Sequence, residues 1–207
     1  GRVDTIAFDK TGTLTYGRLE VSDIIPFGSG LDEQALLSIA ASAEAKSEHP
    51  LGKSIVACAR ERAIPVLDSN DFRMTAGKGV RAQVDGKNLL CGNEKFLSDH
   101  GVAIDEEISS ALERLRSQGK ASILVADGDC CIGVVAMSDV LRPEAGEIVK
   151  RLHDMNTNIV LLTGDNQKTA DHFARQVGIQ QIRAQLLPEE KVGSISKLQD
   201  AGHKVCM

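Results

Sequence analysis

The sequence predicts an α/β protein in which a parallel-sheet domain, built from the two ends of the chain, is split by an inserted antiparallel α+β domain. Three observations lead there. The start of the chain and its last third alternate short apolar runs with helical patterns, as a parallel sheet requires. The middle carries alternating arms around Asp85-Gly86, a strong hairpin signal. A length of 207 residues, 42% hydrophobic and 26% charged, suits one or two compact domains with a sizeable core.

In chain order, Val3–Phe8 reads as a buried strand that stops at Asp9-Lys10-Thr11-Gly12-Thr13, and Leu19–Phe27 as a second extended segment. Between Leu31 and Arg62, apolar residues recur at helical spacing: Leu36, Leu37 and Ala40, then Ile55, Val56 and Ala59. Glu48-His49-Pro50 breaks this stretch into two helices, with Pro50 in the first turn of the second. Arg73–Gly92 alternates, placing Val80, Ala82 and Val84 on one arm and Leu89 and Cys91 on the other. Ile108–Arg116 is an amphipathic helix ending near Gly119, and Ile123–Ala126 pairs with Cys131–Met137 around Asp127-Gly128-Asp129. Beyond Asp139, Pro143 opens a helix to about His153, Ile159–Leu162 is a buried strand, and Thr163-Gly164-Asp165 is a loop. Thr169–Val177 is a helix stopped by Gly178, Ile182 starts a short strand, and Glu189–Gln199 is a helix stopped by Gly202. The expected division is 1–20 and 132–207 for the split domain, with 21–131 as the insert. A strand beginning almost at residue 1, and another beginning at Gly202–Met207, make this an expected piece of a longer protein.

Composition narrows the function classes. Twenty-four Lys and Arg against 29 Asp and Glu give a net charge of −5, which argues against a nucleic-acid surface. Aromatic residues amount to 3%, with no Trp, so base-stacking platforms are not expected. Five cysteines without a C-x-x-C pair fit a reducing compartment better than disulfides or structural zinc. No apolar run reaches the roughly 18 residues of a spanning helix, and the N-terminal residues lack the apolar core of a secretory signal. His100, His153, His172 and His203 show no ligand spacing and are expected at the surface. The Cys130-Cys131 pair is expected on opposite faces of a strand, one side chain inward and one partly exposed, rather than as a metal site.

Asp9-Lys10-Thr11-Gly12-Thr13-Leu14-Thr15 is the most informative stretch. A carboxylate at the carboxyl end of a parallel strand sits where backbone N–H groups of the next turn can surround a phosphate. Such a carboxylate can act as a nucleophile and become an acyl phosphate. Thr11 and Thr13 offer donors, and Gly12 permits close approach of the chain to a ligand.

The whole string resembles the signature of P-type ATPases, cation pumps that pass through an aspartyl phosphate. Thr163-Gly164-Asp165 and Leu187-Pro188-Glu189-Glu190-Lys191 resemble two further motifs of that family, and Asp139-Val140-Leu141-Arg142-Pro143 its strand-to-helix hinge. The resemblance covers nearly the whole chain. It implies a haloacid-dehalogenase-like fold for the split phosphorylation domain, and a nucleotide-binding role for the insert. It implies a catalytic set of Asp9, Lys10, Thr11, Thr163, Gly164, Asp165 and Lys191, with Asp9 attacking in line and Lys191 and Thr163 holding phosphoryl oxygens. Asp165 is expected on the face that closes on the nucleotide. Mg²⁺ is expected at the Asp9 carboxylate and the Thr11 carbonyl. The family's later Mg²⁺-holding aspartates lie past Met207, so a weak site and poor autophosphorylation are expected of this chain. Phosphatases of the same fold place a second Asp two residues after the nucleophile as acid and base. Thr11 cannot do that work, so the acyl phosphate should be long-lived.

In the insert, Ser47-Glu48-His49-Pro50-Leu51 resembles a motif of the heavy-metal-transporting subgroup. This implies ATP, with His49 stacking on adenine, Glu44 accepting from its amino group, and Gly77 and Gly79 admitting the nucleotide to the backbone. Gly92 and Asn93 resemble the last nucleotide-contact element. No G-x-x-x-x-G-K-[ST] is present, so a P-loop is excluded. The expected partners are ATP, the transmembrane and actuator domains of a parent pump, and its heavy-metal ion, with the chain itself monomeric at the cytosolic face of a membrane. Copper and zinc/cadmium/lead pumps share these motifs, which leaves the cargo open. The alternatives are a soluble haloacid-dehalogenase-type phosphatase with a cap domain, and an inactive nucleotide sensor.

Overall fold

The computed structural model describes residues 3–28 and 30–207. The chain divides into two compact units: unit 1 comprises Gly1–Arg18, Ser117–Gly119 and Asp139–Met207, and unit 2 comprises Leu19–Arg116 and Lys120–Ser138.

Unit 1 is built on a parallel sheet. Its strands are β1 (Thr5–Asp9), β8 (Asn158–Leu162), β9 (Gln181–Arg183) and β10 (Val205–Cys206), in the order β10-β1-β8-β9. Register pairs Ala7 with Val160 and Asp9 with Leu162, so the carboxyl ends of β1 and β8 coincide. The near-continuous apolar character of β8 follows from burial on both faces. Ile159 and Leu161 pack with α5 (Ala145–Asp154) and α6 (Gln167–Val177) through Ala145, Val149, Ala174 and Val177. Val160 and Leu162 face the other way with Ala7, against Ile195 and Leu198 of α7 (Pro188–Asp200). The helix ends follow ordinary capping chemistry: the Asn166 side chain accepts from Thr169 N, and Gly178 ends α6 at φ 83°.

Unit 2 is an antiparallel sheet with helices on both faces. The six-stranded sheet runs β2-β7-β6-β5-β4-β3. These strands are β2 (Thr15–Pro26), β3 (Asn70–Thr75), β4 (Gly79–Val84), β5 (Lys87–Gly92), β6 (Ala121–Asp127) and β7 (Cys130–Leu141). The period-2 pattern sorts side chains by face. Ile123, Val125, Val135 and Met137 pack against α1 (Glu33–Glu44) and α2 (Pro50–Glu61). Their neighbours Leu124, Ala126, Val134 and Ala136 pack against α3 (Glu94–Asp99) and α4 (Glu106–Ser117). Apolar residues on both faces of β6 and β7 are what bury both layers.

Several elements differ from expectation. β2 begins at Thr15, four residues ahead of the expected segment, and β7 extends to Leu141. α5 starts at Ala145, two residues after Pro143, because Pro143 and Glu144 form a turn. β3 and α3 were not expected. β3 is mostly exposed and carries a bulge between Asn70 and Arg73, so it shows no alternation. α3 has six residues, too few for a periodic pattern to show. Cys130 is exposed and Cys131 half-buried, as a strand's alternation requires. His203, just before β10 (Val205–Cys206) and partly exposed, has its Nδ1 3.3 Å from both Thr5 Oγ1 and Asp4 Oδ1. No helix among the described residues is long and apolar enough to cross a membrane.

Candidate functional site

In unit 1, the strand β1 delivers Asp9 to the carboxyl edge of the sheet, where the chain turns sharply over Lys10–Leu14. Gly12 makes that turn possible: its φ of 80° and ψ of −11° lie in the left-handed region that a side chain disfavours. Lys191, in the second turn of α7, donates from Nζ to both Asp9 carboxylate oxygens at 2.9 Å. The pair is partly buried, with side chains 27% and 21% exposed, so it is neither fully screened nor dry. The ammonium sits where oxygens of a group transferred to Asp9 would need a cation.

Thr163 follows β8 and is buried. Its Oγ1 accepts from Asp165 N at 3.1 Å, and its carbonyl accepts from Leu186 N, also at 3.1 Å. The hydroxyl proton remains available for an acceptor. Gly164 is exposed at the tip of this loop. Lys10 Nζ donates to Asp165 Oδ2 and lies 5.7 Å from the centre of the Phe173 ring, which ties the two loops together. Asp9 with Lys191, and Lys10 with Asp165, are therefore joined directly. Thr11 and Thr13 are exposed beside them.

A further set of contacts fixes the turn from behind. The Thr15 hydroxyl donates to Asp139 Oδ2 at 2.6 Å and accepts from Gly12 N at 3.2 Å. Arg142 donates from Nε to the Thr15 carbonyl and from a terminal nitrogen to the Gly12 carbonyl. The guanidinium also lies 4.7 Å from the Tyr16 ring centre.

In unit 2, a cleft of about 170 Å³ opens between the start of α2, the β3–β4 turn and the end of β5. Glu44, His49, Gly77, Gly79, Gly92 and Asn93 all line it. Glu44 is buried, with 3% exposure, and its burial pushes the carboxyl pKa up, opposed by a hydrogen bond with Ser47. His49 is exposed at the rim and also caps α2, its Nδ1 accepting from Leu51 N at 3.2 Å. With Nδ1 accepting, the neutral ring carries its proton on Nε2. Asn93 closes the far side: its amide donates to the Gly77 carbonyl at 3.1 Å and its Oδ1 caps α3 at Phe96 N.

The glycines have separate reasons. Gly77 turns the chain at φ 70°. Gly79 and Gly92 oppose one another across the β4–β5 ladder. A Cβ on Gly79 would stand 2.7 Å from both Gly92 Cα and the Phe96 ring. The Cys91 carbonyl stands closer still, so backbone packing across the ladder already forbids a side chain there, before any ligand is considered.

Residues 3–207 match the haloacid dehalogenase-like hydrolase family. The chain belongs to it. Among these hydrolases, its curated relatives include a probable copper-exporting P-type ATPase V of Mycobacterium tuberculosis, 38% identical over 206 residues, covering 100% of this chain and 27% of that protein. A copper-exporting P-type ATPase of Staphylococcus aureus is 39% identical, over 100% of this chain and 25% of that protein. A solved structure of a zinc-transporting PIB-type ATPase in an E2.Pi state superimposes with a TM-score of 0.88 at 34% identity, covering 99% of this chain and 32% of that one. The catalytic domain of the CPx-ATPase CopB-B, described for its conformational changes upon nucleotide binding, matches with a TM-score of 0.67 at 31% identity over 98% of this chain and 69% of that one. The chain spans about a quarter of the length of the curated relatives it matches. It is homologous to the catalytic phosphorylation and nucleotide-binding region of heavy-metal P-type ATPases.

For this haloacid dehalogenase-like chain, reading the sequence missed several residues that shape the two sites. Gly52 lies so close to Glu44 that a Cβ would meet its carboxylate and stand 2.8 Å from Ser47 Oγ. Its place two residues after Pro50, on the inner face of α2, was the available signal. Thr75, Ser122 and Cys91 also line the cleft, but they lie on strands that only tertiary pairing brings together. Asp139 and Arg142 were read as a hinge, and their bonds to the Gly12–Thr15 turn were not foreseen.

Proposed function

We propose that unit 2 binds ATP in its cleft and that Asp9 of unit 1 accepts the γ-phosphoryl group, as the catalytic part of a heavy-metal cation pump. Residues 1–20 and 132–207 then form the phosphorylation domain and 21–131 the nucleotide-binding domain. The observation that carries this reading is the Lys191 ammonium bonded to both oxygens of a strand-end carboxylate, with no acid two residues downstream.

An Asp9 oxygen attacks the γ-phosphorus in line, the bond to the bridging oxygen breaks, and ADP departs with the electron pair. Lys191 moves its hydrogen bonds from the carboxylate to the phosphoryl oxygens, and Thr163 donates its hydroxyl to one of them. Lys10 holds Asp165, and with it the Gly164 loop, in place. Thr11 offers no general acid or base, so the acyl phosphate persists long enough to be used by other domains. In the cleft, Glu44 accepts from the adenine amino group, His49 stacks on the base, and Gly77, Gly79, Gly92 and Asn93 admit the sugar and phosphates.

Mg²⁺ fits in kind. The Asp9 carboxylate and the Thr11 carbonyl are hard oxygen donors, and both residues reach solvent. Among the described residues, no group of three or more His, Cys, Asp or Glu side chains gathers as a metal cluster. Two protein oxygens leave most of an octahedron to phosphate and water, so binding by this chain alone is weak. When bound, the ion neutralises charge on the phosphate oxygens.

Copper or zinc-class ions are the cargo, with the chain acting as a monomeric unit at the cytosolic face of a membrane. The test sets a full-length pump containing this chain against small phosphomonoesters and labelled ATP. The proposal expects a hydroxylamine-labile phosphoenzyme and negligible phosphomonoester turnover. Rapid phosphomonoester turnover without a phosphoenzyme would establish the phosphatase reading instead.

A further inference from the structure

A nucleoside triphosphate carries three or four negative charges, and the cleft of unit 2 offers little to meet them. Of the described residues lining it, Lys78 is the only lysine or arginine, while Glu44 contributes a carboxylate. The Lys78 backbone is pinned on both sides: its N–H donates to the Thr75 carbonyl at 3.0 Å, and its carbonyl accepts from Asn93 N at 2.9 Å. Its side chain is partly exposed, and its Nζ rests 2.9 Å from Asp99 Oδ2 on the last turn of α3. Asp99 has a second cation, Lys95 Nζ, 3.4 Å from its other oxygen. Lys78 can therefore leave without stranding a carboxylate, and an exposed pair of this kind is held only weakly.

We propose that Lys78 is the phosphate-reading residue of the cleft, with Asp99 as its resting partner. The inference rests on the nucleotide reading of the cleft and adds to it a residue that sets the preference among adenine nucleotides. With base and ribose in place, the ammonium turns from Asp99 to the phosphate chain while Asp99 keeps Lys95. The gain depends on phosphate charge, so Lys78 distinguishes ATP from ADP, AMP and adenosine, whereas Glu44 and His49 serve all four alike. A lysine suits this task because it acts as a mobile point charge on a flexible stem.

The test is calorimetric titration of the 207-residue chain, and of its variants, with adenosine, AMP, ADP and ATP at fixed ionic strength. Lys78→Met is expected to weaken ATP binding about tenfold, the scale of one charge-assisted contact. Adenosine binding stays within twofold, which also shows that the variant is folded. Lys78→Arg restores most of the ATP affinity. Asp99→Asn tightens ATP about two- to threefold, and only when Lys78 is present. An ATP-to-adenosine affinity ratio unchanged by Lys78→Met would overturn the inference and leave the nucleotide reading standing. No binding of any of the four compounds to the unaltered chain would overturn both.

Discussion

Thr15→Val tests the way the phosphorylation turn is held. The substitution keeps shape and volume and removes one hydroxyl. Thr15 is buried at 1% exposure, and its hydroxyl donates to Asp139 Oδ2 at 2.6 Å while accepting from Gly12 N at 3.2 Å. Among the described residues, the buried Asp139 Oδ1 has no hydrogen-bond partner, so the Thr15 hydroxyl is the donor on which this carboxylate depends. A hydrogen bond to a charged group contributes about 1.5–3 kcal/mol, and an orphaned buried carboxylate adds to the loss. The expected cost is about 3 kcal/mol. Thr15→Val combined with Asp139→Leu removes the charged partner as well, leaves only the Gly12 N–H and the Lys10 carbonyl of the exposed turn to find water, and should recover most of the loss. The assay is urea denaturation followed by tyrosine emission. Tyr16 is the single tyrosine and there is no tryptophan, so the signal comes from the residue beside the change. A cost below about 0.5 kcal/mol for Thr15→Val, with no recovery in the double variant, would refute the argument.

Three further outcomes follow from unit 2 and from the cysteines. Burial raises the Glu44 pKa, so its contribution to stability is fully present below about pH 4.5, the unfolded value, and is lost as pH rises through the folded value. Glu44→Gln should therefore raise the urea midpoint of unit 2 at pH 7.5 and flatten its decline between pH 4.5 and 7.5, and a parallel profile in both proteins would contradict this. Gly79→Ala sets a methyl against the Cys91 carbonyl and 2.7 Å from Gly92 Cα, and overpacking should cost about 1–3 kcal/mol in urea denaturation followed by far-UV circular dichroism, which reports unit 2 as Tyr16 in unit 1 does not. Cys130 and Cys206 are exposed, Cys131 is pushed up to about 11 by burial, Cys58 is half-buried with its pKa raised by burial, and Cys91 is fully buried with its pKa raised well above the ordinary thiol value. Ellman's reagent at pH 8 should thus titrate two thiols quickly in the native chain and all five only in urea.

What could be read from the sequence, and what could not, divides along physical lines. β8 and the paired faces of β6 and β7 were legible because burial on one or both faces writes itself as an apolar run or an alternation. Asp9, Thr163 and Lys191 were legible as candidates because their local motifs are specific, although only the fold shows Lys191 on the Asp9 carboxylate, 182 positions away in sequence. β3 and α3 were not legible, since an exposed, bulged strand and a helix of six residues leave no periodic trace. Lys78 went unremarked for the same reason: its partner Asp99 lies on that short helix. Glycine at 77 and 79 was attributed to a ligand, whereas at 79 the Cys91 carbonyl and Gly92 Cα across the ladder already leave no room for a Cβ. Asp139 and Arg142 were read as a hinge through the resemblance of Asp139–Pro143 to the family's motif, while their hydrogen bonds to Gly12 and Thr15 cross more than 120 positions.

The claim at the centre of this account is that the Asp9 side chain carries the phosphoryl group. A full-length pump containing this chain, exposed briefly to ATP labelled at the γ-phosphate and quenched in acid, should retain one label per chain, and peptide mapping should place it on Asp9. Asp9→Asn should abolish the label while adenosine binding to the cleft persists. A covalent label of equal yield in Asp9→Asn, or mapped to another residue, would contradict the account.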